Sequence, residues 1–108
     1  MEQLNKIEII GYVGNVNITK VGNGKVAKFS VATSYAYKGR NDEPVIETTW
    51  LAVTAFESND IPASTLEGLS KGDQVHVCGR LRWLKYTNPE GETRTTYEII
   101  ASSLTKTK

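Results

Sequence analysis

The sequence has little of what marks several common classes of protein. Its 108 residues include one cysteine, which excludes an internal disulfide and a multi-cysteine metal site and is typical of a reducing compartment. No apolar run approaches the roughly 20 residues of a membrane helix. The first residues, MEQLNKIEII, lack the basic, apolar and small-residue succession of a signal peptide. A cytoplasmic protein without a membrane contact is therefore expected.

The sequence also lacks a large excess of either sign of charge. Thirteen Lys and Arg against twelve Asp and Glu give a net charge of +1, so overall charge does not indicate a nucleic-acid-binding protein. His76 is the single histidine. Cys78 lies two residues on, but no second Cys or His and no motif with metal-ligand spacing accompanies them, so no metal site is predicted. The acidic residues lie mostly in turns, on a predicted helix or singly in strands. We therefore expect no cofactor and no enzymatic activity.

What the chain does have is a succession of segments rich in β-branched and aromatic residues, separated by turn residues. The first contains Gly11 and Gly14, which predict a long strand bent or bulged there. VGNGK predicts a hairpin turn in which Asn23 and Gly24 take positive φ. GRNDEP predicts a polar loop and NPEG a tight turn. The predicted strands cover 5–18, 26–38, 48–56, 74–86 and 93–104.

Between the third and fourth predicted strands, PASTLEGL places Leu66 and Leu69 three apart, which predicts a short helix. Five strands are too few for a seven-stranded sandwich. They fit an all-β, five-stranded OB-fold Greek-key barrel, which has one short helix between its third and fourth strands. We expect this domain to cover 1–104, with long protruding hairpins, and 105–108 to form a frayed C-terminal end.

The third predicted strand, TTWLAVTAF, has two different faces. With a period of two, Leu51 and Val53 lie on an aliphatic face that is expected in the core, whereas Trp50 and Phe56 lie on the other face with small residues between them. Two large rings on a strand face that should meet water indicate a stacking surface.

The fourth predicted strand alternates in the same way. Val75, Val77 and Leu81 share the face expected in the core, and Trp83 follows their parity, so we interpret it as a core or hairpin-packing residue. The opposite face carries His76, Cys78, Arg80, Arg82 and Tyr86.

Five blocks of the sequence, in order from about residue 5 to residue 103, carry a resemblance: NKIEIIGYVG, GKVAKFSVATS, TTWLAVTAF, KGDQVHVCGRLR and EGETRTTYEI. Together they resemble the OB domain of bacterial single-stranded DNA-binding proteins. The resemblance implies sequence-independent binding and protection of single-stranded DNA in replication, recombination and repair, in the cytoplasm with the nucleoid. In proteins of this class bases stack on aromatic rings, at roughly 1 to 3 kcal/mol per base, and basic side chains follow the phosphates.

The family's functional positions carry over to individual residues of this chain. The stacking aromatics fall on Trp50, Phe56, Tyr37 and Tyr86, and Tyr35 joins them because it shares the parity of Tyr37. The phosphate contacts fall on Lys6, Arg40, Arg82, Lys85 and Arg94, and Lys38 and Arg80 are added from the same loop and strand face. The subunit interface is expected at Leu51, where the family often has histidine, and at His76 and Cys78.

The resemblance also implies partners. The family usually assembles as a homotetramer, with a dimer as the alternative, and often ends in an acidic tip with an Asp, Ile, Pro, Phe run that recruits replication and repair proteins. This chain ends at Lys108 with two lysines in its last three residues, so those partners gain little support. Two alternatives stay open: a dimeric OB-fold primosome accessory protein, and an OB module that binds only protein or carbohydrate.

Overall fold

The computed structural model describes residues 2–107. Five β-strands close into a barrel in the order β1-β2-β3-β5-β4. The connections contain a 3-10 turn at Arg40–Asp42 and one short α-helix. The elements are β1 Ile7–Val21, β2 Gly24–Lys38, β3 Pro44–Phe56, α1 Ala63–Glu67, β4 Gln74–Thr87 and β5 Thr93–Lys106. The predicted all-β barrel, with its helix between the third and fourth strands, is confirmed.

Strand β1 pairs with two different strands along its length. Its first half pairs with β4 from Ile7 to Tyr12, and its second half pairs with β2 from Tyr12 onward. The register with β2 shifts between Val13 and Val16, which confirms the predicted irregularity around Gly14. The barrel closes where β3 and β5 run parallel, with Val53 opposite Ile99.

The core fills the barrel with inward side chains from all five strands and from the helical connection. Leu66 of α1 is completely buried, and Leu69, just beyond the helix, is nearly so. Burial of each such side chain stabilises the fold by about 1.5–3 kcal/mol. The largest fully buried side chains are Ile61, Leu66, Ile99, Val31, Val53, Val75 and Val77.

Two long hairpins extend beyond the barrel. Strand β1 accompanies β2 only as far as Ala32 and β4 only as far as Gly79, whereas the β2–β3 and β4–β5 ladders continue to their turns. Leu81 and Trp83 keep the inward parity but lie on this extension, where they are 39% and 54% exposed. The prediction that they belong to the core is therefore wrong, and for Trp83 the hairpin-packing alternative stands.

The chain ends and turns differ from the prediction in two details. The β1–β2 turn lies where expected, but Gly22, with φ of 59°, takes the left-handed conformation instead of Asn23 or Gly24. Residues 105 and 106 pair with His76 and Val75 within β5, so the end predicted to fray is ordered there, and residue 108 lies outside the described residues. No helix within 2–107 has the length and apolar character needed to cross a membrane.

Candidate nucleic-acid interface

The outward face of β3 carries an aromatic platform, which we define as Trp50, Ala52 and Phe56. Trp50 is 61% exposed and Phe56 46% exposed, while Val53 and Ala55 on the other face are buried. The two-faced character predicted from the alternation of this strand is confirmed. The flat rings therefore meet solvent on a rigid strand, with only the small side chains of Ala52 and Thr54 between them on the same face.

The position of the Trp50 ring depends on a glycine in β1. A Cβ added at Gly14 would lie 2.7 Å from Cζ3 of Trp50 and 2.5 Å from Oγ of Ser30, both closer than real contacts. The absence of a side chain at Gly14 thus leaves room for the ring. Two open pockets adjoin the ring. One is lined by Lys28 and Ala52 and the other by Gly14 and Lys71, and Asn15 and Ser30 line both.

A buried polar contact lies next to the platform on the same strand face. Thr54 Oγ1 donates a 2.8 Å hydrogen bond to Oε2 of Glu98, and Arg82 donates to Oε1 through Nε, at 3.1 Å, and through Nη2. Thr54 and Glu98 are 2% and 8% exposed. This contact joins β3, β4 and β5 and continues the platform face onto the β4–β5 hairpin.

The electrostatics of Glu98 are set by opposing effects. Burial would raise the pKa of its carboxyl, but the hydrogen bonds from Thr54 and Arg82, together with the charges of Arg82 and Lys28, lower the pKa below its usual range. Glu98 is therefore an anion at neutral pH, and Arg82 is held by it. A phosphate contact from Arg82 would have to compete with this ion pair.

Other predicted residues share the face of Arg82 on the β4–β5 hairpin. Arg80 lies opposite Ile100, which also lies opposite Thr54, and Tyr86 lies opposite Arg94. Tyr86 is 51% exposed, and the Arg94 guanidinium contacts Glu92 at 3.3 Å. The structure therefore brings Trp50, Phe56, Tyr86, Arg80, Arg82 and Arg94 to one continuous face.

The tyrosines of the β2–β3 hairpin lie elsewhere. Trp50 pairs with Ala32, an even-numbered position of β2, whereas Tyr35 and Tyr37 pair with Glu47 and Val45 on the other face of the ribbon. Their ring centroids are 6.1 Å apart at an interplanar angle of 31°. A strand of nucleic acid that stacks on both sets must cross the edge of this hairpin. Lys38 and Arg40 lie at its tip.

Two further predicted basic residues lie by a separate aromatic group. Lys6 lines a groove with Leu81, Trp83 and Tyr97, and Nζ of Lys85 lies 5.6 Å from the centroid of the Trp83 ring. Cations over aromatic faces are held by electrostatic attraction, at about 0.5–1 kcal/mol at exposed sites. These two lysines are therefore not part of the platform face.

The predicted subunit residues do not form one cluster. Leu51 is half-buried and packs against the barrel core, whereas His76 and Cys78 lie on the outward face of β4 beside Glu8 of β1. Their roles at a subunit contact stay predictions.

Sequence reasoning missed several residues of these sites: Glu8, Lys28, Lys71, Tyr97 and Glu98. Lys28 lies directly opposite Thr54 and so belongs to the platform face. Alternation along β2 could have placed it there, because it has the same parity as Ala32. Glu8 and Glu98 needed the strand pairing itself, since their partners lie on other strands.

Comparison with known proteins agrees with this geometry. Residues 4–107 match the Single-strand binding protein family, which is nearly the whole chain. The chain belongs to this family. Its members are binding proteins, which supports the expectation that the chain is not an enzyme.

The names of individual relatives agree with this family. The "Single-stranded DNA-binding protein" of Neisseria meningitidis serogroup A is 34% identical over 103 residues, which cover 94% of this chain and 58% of that protein. The mitochondrial counterpart of Drosophila melanogaster is 31% identical over 102 residues, covering 94% of this chain and 69% of that protein. The chain thus spans about three fifths of the Neisseria relative.

Solved structures of the family have the same fold. A structure described as "Plasmodium falciparum SSB complex with ssDNA" superposes with a TM-score of 0.86 at 31% identity, and covers 100% of this chain and 98% of that chain. The small single-stranded DNA-binding protein from Streptomyces coelicolor gives a TM-score of 0.73 at 25% identity, with coverage of 98% and 95%.

Proposed function

We propose that the protein binds single-stranded DNA without regard to sequence, by stacking bases on its aromatic side chains and contacting phosphates with its basic ones. The observation that carries the proposal is the pair of exposed rings, Trp50 and Phe56, on the outward face of β3. Lys28 of β2 and Arg80 and Arg94 of the β4–β5 hairpin continue this face. Unpaired bases have open flat faces, whereas the bases of a duplex are already stacked on each other. The proposed partner is therefore a single strand.

Stacking explains why sequence would matter little. Every base has a π face, and one base on one aromatic ring contributes about 1–3 kcal/mol whatever its identity. The phosphate contacts supply affinity that falls with salt, because binding releases condensed counterions. Protection of single strands in replication, recombination and repair, in the cytoplasm with the nucleoid, follows from the same binding.

The proposed path begins on the platform and continues in two directions. Along β4–β5 it meets Tyr86 and Arg94, which lie opposite each other. Around the edge of the β2–β3 hairpin it meets Tyr35 and Tyr37, with Lys38 at the tip. These hairpins provide a surface longer than the barrel alone.

Equilibrium binding to labelled oligonucleotides tests the proposal. Fluorescence anisotropy should show binding to oligo-dT and to a mixed-sequence strand of equal length with similar affinity, weaker binding of both at higher salt, and much weaker binding of the matching duplex. Equal binding of single strand and duplex, or no binding of either, would contradict it. An OB module that binds only protein or carbohydrate would give the last result.

A homo-oligomer, expected to be a tetramer, is the second part of the proposal. Among the described residues, β2 begins to pair with β1 only at Tyr12, so one edge of Ile7–Gly11 is open to another strand. Ile10 and Tyr12 on the outward face are 56% and 51% exposed. Open strand edges and exposed apolar side chains favour pairing between chains. Light scattering would separate a tetramer from the dimer expected for a primosome accessory protein, and a monomer would contradict both.

A further inference from the structure

Three side chains with metal-binding atoms converge on the outward face of β1 and β4. Glu8 lies directly opposite Cys78 in the antiparallel pair, and His76 precedes Cys78 by two residues, so all three point to the same side. His76 Nε2 lies 2.6 Å from Oε2 of Glu8 and 3.6 Å from Sγ of Cys78, and Sγ lies 3.8 Å from the same carboxylate oxygen. None of the three belongs to the aromatic platform. Glu8 shares the outward face of β1 with Ile10 and Tyr12, so the site adjoins the oligomer contact proposed above.

We propose that Glu8, His76 and Cys78 bind one Zn²⁺ ion. Bond lengths of about 2.3 Å to sulfur and about 2.0–2.2 Å to nitrogen and oxygen, at tetrahedral angles, separate the sulfur from the other ligand atoms by about 3.6 Å. The two distances from Cys78 already match this. The carboxylate oxygen and the imidazole nitrogen need a separation of about 3.4 Å. The Glu8 side chain is 57% exposed and is able to move outward by the difference.

The chemistry of the ligand set selects the class of metal. Thiolate and imidazole favour zinc and other late first-row ions, whereas magnesium and calcium require oxygen ligands. On binding, the ion displaces the proton shared by His76 Nε2 and Glu8 and the proton of the Cys78 thiol, and both protons are released to solvent. Three protein ligands leave a fourth position, which a water molecule fills.

All three proposed ligands lie on strands, and none lies on a loop. Both β1 and β4 continue their ladder on either side of the three residues, with the half-buried Ile9 opposite the buried Val77 beneath them. The ligand atoms are therefore gathered before any ion binds, and only the exposed Glu8 side chain has to move. Besides His76, the positive charge of Lys6 also acts on the Glu8 carboxylate. Lys6 lies just before β1 in the chain.

Metal titration of the full chain without DNA tests this. After treatment with a chelator and desalting, competition against a chromophoric zinc indicator should give one Zn²⁺ per chain, and Co²⁺ as a probe should give a thiolate-to-metal charge-transfer band. Glu8→Gln, His76→Gln and Cys78→Ser should each weaken Zn²⁺ binding by more than about tenfold, since even the loss of a residue that only orients a ligand costs about 10–100-fold. Cys78→Ser should also remove the charge-transfer band. Glu47→Gln, an exposed carboxylate on β3, is the matched control and should bind like the parent chain.

The single cysteine gives a second readout. Bound Zn²⁺ should slow the reaction of Cys78 with a thiol reagent in the folded chain, and His76→Gln should abolish that protection while the circular dichroism spectrum stays unchanged. No zinc binding at micromolar protein, or binding that all three substitutions leave unchanged, would overturn the proposal. Because no DNA is present, either result is independent of whether the platform binds single strands.

Discussion

Thr54 donates a 2.8 Å hydrogen bond to Glu98, and both side chains are buried although they lie on the outward face of the barrel. Arg82 covers the carboxylate from β4. Solvent therefore does not reach the whole outward face. The Thr54–Glu98 contact is buried at its centre, and the rings of Trp50 and Phe56 lie exposed beside it. The contact links β3, which carries Trp50 and Phe56, to β4 and β5.

Removal of the Glu98 carboxylate should destabilise the fold. Glu98→Ala leaves the Thr54 hydroxyl without its acceptor and Arg82 without its ion-pair partner, and we expect the free energy of unfolding to fall by about 1–3 kcal/mol. Urea denaturation followed by circular dichroism measures this. Glu47→Ala, at an exposed position of β3, should change stability by less than about 0.5 kcal/mol. Equal effects of the two substitutions would contradict the importance of this contact.

Acid should remove the same stabilisation. The pKa of Glu98 is lower in the folded chain than its usual value of 4.5. Its contribution is therefore present above that usual value and is lost as the pH falls through the folded pKa. Glu98→Gln should flatten this part of the dependence of unfolding free energy on pH, measured by denaturant titrations from pH 7 to pH 3. Glu8 also has a lowered pKa, caused first by its hydrogen bond with His76, so part of the slope should survive. An unchanged slope in the variant would contradict the assignment.

A side chain at Gly14 should disturb Trp50. In Gly14→Ala the new Cβ lies 2.7 Å from the indole, so the ring must shift, and we expect affinity for oligo-dT to fall by up to about tenfold, part of the roughly 1–3 kcal/mol of one stacked base. Gly24→Ala is the matched control, because its Cβ meets Glu57 atoms only at ordinary distances of 3.7 and 3.8 Å. Anisotropy titrations measure both. If Gly24→Ala lost affinity and Gly14→Ala did not, a role for the position of the Trp50 indole would be contradicted.

The salt dependence of binding should show whether Lys28 contacts a phosphate. Each phosphate contact with a single strand contributes about −0.7 to the slope of log K against log salt concentration. Lys28→Ala should therefore make the slope shallower by about that amount. Lys20 pairs with Lys25 on the other face of the β1–β2 ribbon, so Lys20→Ala should leave the slope unchanged. Identical slopes for the Lys28 variant and the parent chain would exclude a phosphate contact there.

The sequence predicted the barrel and the platform because both depend on local patterns. Alternation along TTWLAVTAF separates Val53 from Trp50 whatever the neighbouring strands are. The leucine spacing in PASTLEGL and the turn residues between strands are equally local, and the structure has the helix and the turns at those places.

The rest depended on pairing between distant segments. Parity placed Trp83 on the inward face correctly, but only the end of the β1–β4 ladder at Gly79 shows that no core lies beneath it. In the same way, nothing near His76 in the chain indicates Glu8, which is 68 residues away. A charge partner such as Glu98 for Arg82 also becomes visible only once β4 and β5 are in register.

Quenching of Trp50 by a single strand tests the proposed stacking most directly. Both tryptophans are exposed, so the measurement uses Trp83→Phe, in which the emission comes from Trp50 alone. Titration with oligo-dT should quench this emission strongly, less at high salt, and duplex DNA should have little effect. In the reciprocal variant, Trp50→Phe, most of the quenching should be lost. If oligo-dT bound the Trp83→Phe protein without changing its emission, stacking on Trp50 would be contradicted.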